Sequence, residues 1–291
     1  MRALKSSTMV FALAVAIIGV TPQSTQAVKP PLLFGTTGAC NNVLQGGPCT
    51  QTSELVPLDP ATGALVRDIG PVGFTVNGLA WDRHSKRLYA STAIGDVVFH
   101  GLITIDPNTG AGTPVDPTVH NFGLDGADSP IHSITIDSGG NMVGWYDEFP
   151  PPLGVTDTFV TINKKTGIAT EFTNTGINTS QNGLSFDDND DLWNIDASRR
   201  IGPGAPLTQT AFLLNPTNGS ASRSVQLTPP LDAALGDFNP ANGLYYGLNF
   251  VSFNPTVPTF IEVVDVVQGS VTTLGQTVDG LHTLAFAKKV K

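Results

Sequence analysis

His132, in HSITI, and His282, in HTLAF, hold the same place in two copies of one phrase. Each stands four residues before a large apolar anchor, Ile136 or Phe286. Three further copies put Asn77 before Trp81, Asn182 before Phe186 and Ala234 before Phe238. If the copies are arranged around an axis, two imidazoles and two amides converge at one mouth. Neutral imidazole suits Zn, Cu, Fe or Ni, and amide oxygens take harder cations, so a divalent metal ion is the cofactor such a ring would hold, with His132 and His282 as its ligands. The same imidazoles could serve as acid–base groups. One position before the anchors stand Ala80, Thr135, Ser185, Asp237 and Ala285. Asp237 is the exception among small residues, placed to join the ring or to orient one of its histidines. The plainer reading is that Asn before Gly only starts a strand and that the mouth holds water.

The elements that would position these residues repeat. DPATG, DPNTG, NKKTG, NPTNG and DVVQG end in glycines 63, 110, 167, 219 and 269, spaced by 47 to 57 residues. In the first four, Asp or Asn opens the turn and bonds the backbone two residues on, and the Gly takes a left-handed conformation. A second phrase recurs at that period: NGLAWDRHSKRLYAST, HSITIDSGGNMVGWY, NGLSFDDNDDLWNID and LGDFNPANGLYYGLN. Two hairpins per unit make the four-stranded blade of a β-propeller. The sequence predicts inner strands near 78–82, 132–137, 183–187, 234–238 and 282–287. The chain past its leader starts on a second strand, LLFGTT, and ends on an inner one. We therefore expect an all-β, five-bladed propeller of four-stranded blades, its ring closed by the C-terminal strand joining the N-terminal blade.

The pattern L-x-x-[ILV]-[DN]-P-x-T-G, followed by G-L-x-[FW]-D and L-Y, resembles secreted bacterial propellers loosely related to the YVTN, NHL and gluconolactonase-like groups. That resemblance implies the architecture and little about activity. A gluconolactonase-like site would need a carboxylate-rich calcium shell, for which only Asp237, Asp147 and Glu148 are at hand. Five-bladed glycosidases also resemble this fold and use converging acids. The ring here has amides and imidazoles instead, which argues against that chemistry.

Strand direction gathers the long connections, 37–53, 93–100, 147–157, 197–209 and 250–258, on the rim that carries the ring, where binding usually resides. Rim candidates are Asp147, Glu148, Arg199 and Arg200, the arginines for an anionic ligand. FDDNDDLWNID departs from a calcium loop, with Leu192 where Gly is needed and no acid at the twelfth position. It is expected to be a solvated turn, as is His84 on the opposite rim. Lys288, Lys289 and Lys291 read as a solvated end.

Residues 1–27 carry two cations and an apolar run too short to span a bilayer, with Thr25-Gln26-Ala27 as a cleavage site. The expected division is a signal peptide, 1–27, and one propeller, 28–291, secreted or periplasmic. Cys40 and Cys49, the two cysteines, are expected to form a disulfide. The net charge is −9, and −11 without the leader cations, which excludes nucleic acid as a bulk-charge partner. The resulting expectation is a propeller that binds a small molecule, glycan or protein on its long-loop face without catalysis. The alternatives are a metal-assisted lactonase, hydrolase or lyase at the His/Asn mouth, and a structural surface protein.

Overall fold

The computed structural model describes residues 31–38, 52–93, 96, 99–124, 131–146, 157–172, 175–179, 183–197, 199–200, 206–249 and 258–289. Five four-stranded antiparallel sheets form five blades. The first holds β1 (Leu33–Thr37), β2 (Glu54–Leu58) and β3 (Gly70–Pro71). The second holds β4 (Val76–Asp82), β5 (Arg87–Thr92), β6 (Leu102–Ile105) and β7 (Gly112–Pro114). The third holds β8 (Ser133–Ile136), β9 (Met142–Tyr146), β10 (Thr158–Ile162) and β11 (Ala169–Phe172). The fourth holds β12 (Gly183–Phe186), β13 (Leu192–Ile195), β16 (Thr210–Leu214) and β17 (Ala221–Gln226). β14 (Arg199–Arg200) and β15 (Leu207–Thr208), between β13 and β16 in the chain, form a separate two-stranded antiparallel sheet. The fifth holds β18 (Ala233–Phe238), β19 (Tyr245–Asn249), β20 (Phe260–Asp265) and β21 (Ser270–Gln276). The last strand, β22 (Leu281–Phe286), pairs with β1 as the inner strand of the first blade, Leu33 opposite Phe286. The ring is closed by the C-terminal strand, as the phase of the repeat predicts.

The repeated turns form through the chemistry their residues suggest. Asp59 Oδ1 accepts from Ala61 N at 2.9 Å, and Gly63 donates back to Asp59 O at 2.7 Å with φ of +75°. The copies at Asp106, Asn163, Asn215 and Asp265 place the same carboxylate or amide oxygen on the backbone N–H two residues on. The irregular DVVQG therefore closes like the others. Val266 stands where the first copy has Pro60, so the turn is set by Asp265 and Gly269 and does not need proline.

The core lies between blades. Phe34 and Leu55 of the first blade pack on Leu88, Ile103 and Ile105 of the second. Tyr89 and Leu102 meet Ile134 and Val160 of the third, and Trp145 and Phe159 meet Leu184 and Leu214 of the fourth. Trp193 and Ile195 meet Tyr245 and Val264 of the fifth, which returns Tyr246 and Ile261 to Leu284 and Phe286. Inner and middle strands are covered on both faces, so polar residues such as Ser133, Thr135, Asn194 and Thr283 are buried in them along with the apolar ones. Each fully buried Leu or Phe contributes about 1.5–3 kcal/mol.

Candidate functional site

Inner strands do not begin as regular ladders. On β4 the register passes from Val76 opposite Thr92 to Gly78 opposite Ser91, leaving Asn77 as the surplus residue. On β22 it passes from Thr283 opposite Thr36 to Leu281 opposite Thr37, leaving His282 as the surplus. At β8, Ser133 stands opposite Trp145 while His132 N also donates to Trp145 O, at 3.1 Å. Each is a bulge, which bends a strand and re-aims a side chain. Asn77, His132 and His282 thus sit at bulges on three blades. On β18 the ladder breaks between Ala234 and Asp237, and Leu235 has φ of +47°.

These starts are tied down by polar residues on the neighbouring connections. Val76 N donates to Ser53 Oγ at 2.9 Å, Thr75 N to Asp96 Oδ2 at 2.5 Å, and Gly78 N to Ser91 Oγ at 2.9 Å. Asp157 accepts from Thr179 N and Oγ1, both at 2.5 Å. Gln209 Oε1 accepts from Asp232 N at 3.2 Å, and Thr259 Oγ1 from Gly280 N at 3.2 Å. Ser53, Asp157, Gln209 and Thr259 each directly precede a third strand and hold the linker to the next inner strand. Sequence reasoning missed this set. Its signal was a polar residue one place before an apolar strand, which reads as an ordinary strand boundary.

At the mouth, His282 Nε2 donates to Asn77 Oδ1 at 2.9 Å, joining the first blade to the second. His282 is 4% exposed and Asn77 9%, while His132 is half-buried. His132 Nε2 is buried and has no hydrogen-bond partner among the described residues. Burial pushes His132 down from the usual 6.5 to about 4. Burial, with His132 nearby as a second cause, takes His282 to about 3. Both imidazoles are therefore neutral at ordinary pH.

Asp237 does not join this group. It lies toward the other end of the axis, where Oδ1 accepts from Ser185 Oγ at 2.5 Å, Phe238 N at 2.8 Å and Lys288 Nζ at 2.7 Å, and Oδ2 accepts from Phe286 N at 2.8 Å. With those four donors it neither joins the mouth nor orients a histidine. Lys288 is equally displaced from expectation: it is 7% exposed, not part of a solvated end. Its Nζ also donates to Phe186 O at 2.8 Å, and its carbonyl accepts from Trp81 Nε1 at 2.9 Å. A terminal lysine reads as solvated because its burial depends on ring closure.

Asn182, Asp147, Glu148, Cys40 and Cys49 lie outside the described residues. Arg199 and Arg200 form β14, paired with Thr208 and Leu207. Among the described residues no three His, Cys, Asp or Glu side chains group as metal ligands. No helix among them is long and apolar enough to cross a membrane. The acidic FDDNDD turn is bound up in structure: Asp187 Oδ1 accepts from Asn189 N and Asp191 N at 2.7 and 3.0 Å, and Asp190 Oδ1 from Ser138 N at 2.7 Å. His84 is exposed, with Nε2 2.7 Å from Ser138 O.

No protein-family model matches the chain, and no curated protein is similar to it in sequence. Solved structures are similar in fold. A GH43_12 retrieved from a capybara gut metagenome superposes with TM-score 0.50 at 11% identity over 84% of this chain, which spans 48% of that protein. An α-L-arabinofuranosidase, CtGH43, from Clostridium thermocellum gives 0.49 at 12% identity over 79% of this chain and 84% of its own. The Dos1 propeller gives 0.40 at 10% identity over 86% and 70%. At such identities the likeness is one of fold, and the finer repeat-type resemblance gains no support from it. It does correct the functional expectation. The expectation put binding without catalysis first, a metal-assisted enzyme and a structural protein second, and argued against glycosidase chemistry. A GH43_12 protein shares this architecture, so binding without catalysis no longer stands as the leading expectation.

Proposed function

We propose that the chain is an exported enzyme acting on carbohydrate, with its reacting centre at the bulged mouth of the axis. The observation that carries this reading is the meeting of an amide and two uncharged imidazoles, Asn77, His132 and His282, at bulges on three blades. Sugar hydroxyls both donate and accept. Neutral imidazoles and an amide match them without placing a charge in a poorly solvated site. The free His132 Nε2 is the group offered to a substrate hydroxyl. With its basicity lowered to about 4 it is a hydrogen-bonding group first and a weak base second.

Cleavage of a glycosidic bond by paired carboxylates needs two acids. We assign these to Asp147 and Glu148. They follow Tyr146 in sequence, the last residue of β9, and β9 ends on the rim where His132 stands. Carbohydrate as the substrate class is supported by the GH43_12 protein that shares the fold. Export is supported by the leader-like residues 1–27 and by the even count of two cysteines, Cys40 and Cys49.

The test is release of product by the purified chain from aryl α-L-arabinofuranosides, aryl β-D-xylosides, arabinan and xylan. Measurable turnover is expected, falling at least 100-fold in Asp147→Asn/Glu148→Gln. His132→Ala should raise KM about tenfold with a smaller effect on kcat. Inertness toward all four substrates, or full activity in both variants, would overturn the proposal.

A further inference from the structure

The last strand is held at both ends by contacts outside its own sheet. At the mouth, His282 bonds Asn77 of the second blade. Beyond the far end, Lys288 turns its side chain into the axis and reaches Asp237 of the fifth blade and the carbonyl of Phe186 in the fourth. Its own carbonyl takes the indole N–H of Trp81 in the second. Asp237 answers on β22 itself through Phe286 N. The pair is almost dry, with side-chain exposures of 6% and 11%. A small cavity beside it is lined by Trp81, Thr135, Gly236, Asp237 and Lys288 among others.

Strand β22 has one residue more than β1 can pair, and the surplus is His282. One end of that stretch is fixed where Gly38 N donates to Gly280 O at 3.2 Å. All six residues of β22 are buried, so no solvent face sets its register. We infer that Lys288 and Asp237 form a clasp that fixes the register of β22 on β1 and so forces His282 into its bulge at the mouth. With both ends held, the surplus residue has to leave the ladder. With the clasp released, residues 283–286 are free to move by one place along β1, and His282 enters the ladder opposite Thr36. Lys288 is then a positioning residue for His282, acting from the other end of the axis. Nothing in the clasp depends on which molecule the mouth takes.

The experiment follows the imidazole Nε2–H of His282 in protein labelled with 15N-histidine, its resonance assigned by its loss in His282→Gln. In the folded wild type this buried proton gives a slowly exchanging signal. Lys288→Met, checked for folding by far-UV circular dichroism, should shift that signal by more than 1 ppm or abolish it, and Lys288→Arg should restore it. Asp237→Asn/Lys288→Met removes both charges, so no carboxylate is left buried alone, and it should give the same change. Trp81→Phe, which deletes one hydrogen bond to the clasp, serves if the others do not fold and should speed exchange of the proton at least tenfold. An unchanged His282 signal in any folded member of this set would overturn the clasp, even where the melting temperature had dropped.

Discussion

His132 and His282 are bases that the fold keeps uncharged, and this makes stability depend on pH in a definite direction. Their folded values, about 4 and about 3, lie below the ordinary 6.5. As pH falls through 6.5 the unfolded chain takes up protons that the folded chain refuses. The contribution is therefore complete above about 6.5 and declines as pH falls toward the folded values. Replacing either residue with Gln removes a site that only the unfolded state can protonate. At pH 4.5 the difference is roughly 2 kcal/mol per histidine, or about 5 °C in a chain of this size. His132→Gln and His282→Gln should each show a smaller fall in Tm between pH 7.5 and 4.5 than the wild type, by about that amount. Carboxylates titrate equally in all three proteins and cancel in the comparison. A fall as steep in the variants as in the wild type would mean that the imidazoles are solvated. The positions of these histidines were legible because the repeat aligns them. Their neutrality was not, because burial at the mouth is set by blades distant in sequence.

Hairpins are local, and the chain writes them plainly: Asp or Asn, two or three residues, then Gly. That is why the blade count and the closing strand could be read before any coordinates. Bulges are different. A bulge is a mismatch between two strands, and nothing in NGLAW alone says that Asn77 will be surplus to the partner strand. The close contacts between blades share this property, as Gly183 shows. A Cβ there would lie 1.8 Å from Tyr245 Oη and 2.8 Å from Leu235 N, so the position admits no side chain while the tyrosine keeps its place. Gly183→Ala should cost about 3 kcal/mol or more, in the range of overpacked cores. Removing the hydroxyl leaves Leu235 N at 2.8 Å and the ring carbon at 3.0 Å, a milder conflict. Gly183→Ala/Tyr245→Phe should thus be more stable than Gly183→Ala alone, although Tyr245→Phe by itself brings no gain. Strictly additive unfolding free energies in this cycle would show that the fourth and fifth blades do not meet there.

At the scale of the ring, every blade is buried against two others, and the first blade is incomplete until the last strand arrives. Leu281, Leu284 and Phe286 are each 4% exposed or less, packed with Leu33, Leu58, Tyr246 and Ile261. At about 1.5–3 kcal/mol for each large apolar side chain, these three account for roughly 5–9 kcal/mol, comparable to the whole stability of an ordinary domain. Losing β22 would also bare the edge of β1 and leave Asp237 without its cationic partner Lys288. A chain ending at Thr277 should therefore lack a cooperative thermal transition and bind dyes that sense exposed apolar surface. A synthetic peptide of residues 278–291 carries the whole strand and Lys288. Added in excess, it should restore cooperative melting, with a midpoint that rises with peptide concentration. The same peptide with Lys288→Met should restore it more weakly, and one with Leu284→Asp not at all. If the shortened chain melted cooperatively near the wild-type temperature without any peptide, four blades would be sufficient, and neither ring closure nor the place of His282 could rest on the C-terminal strand.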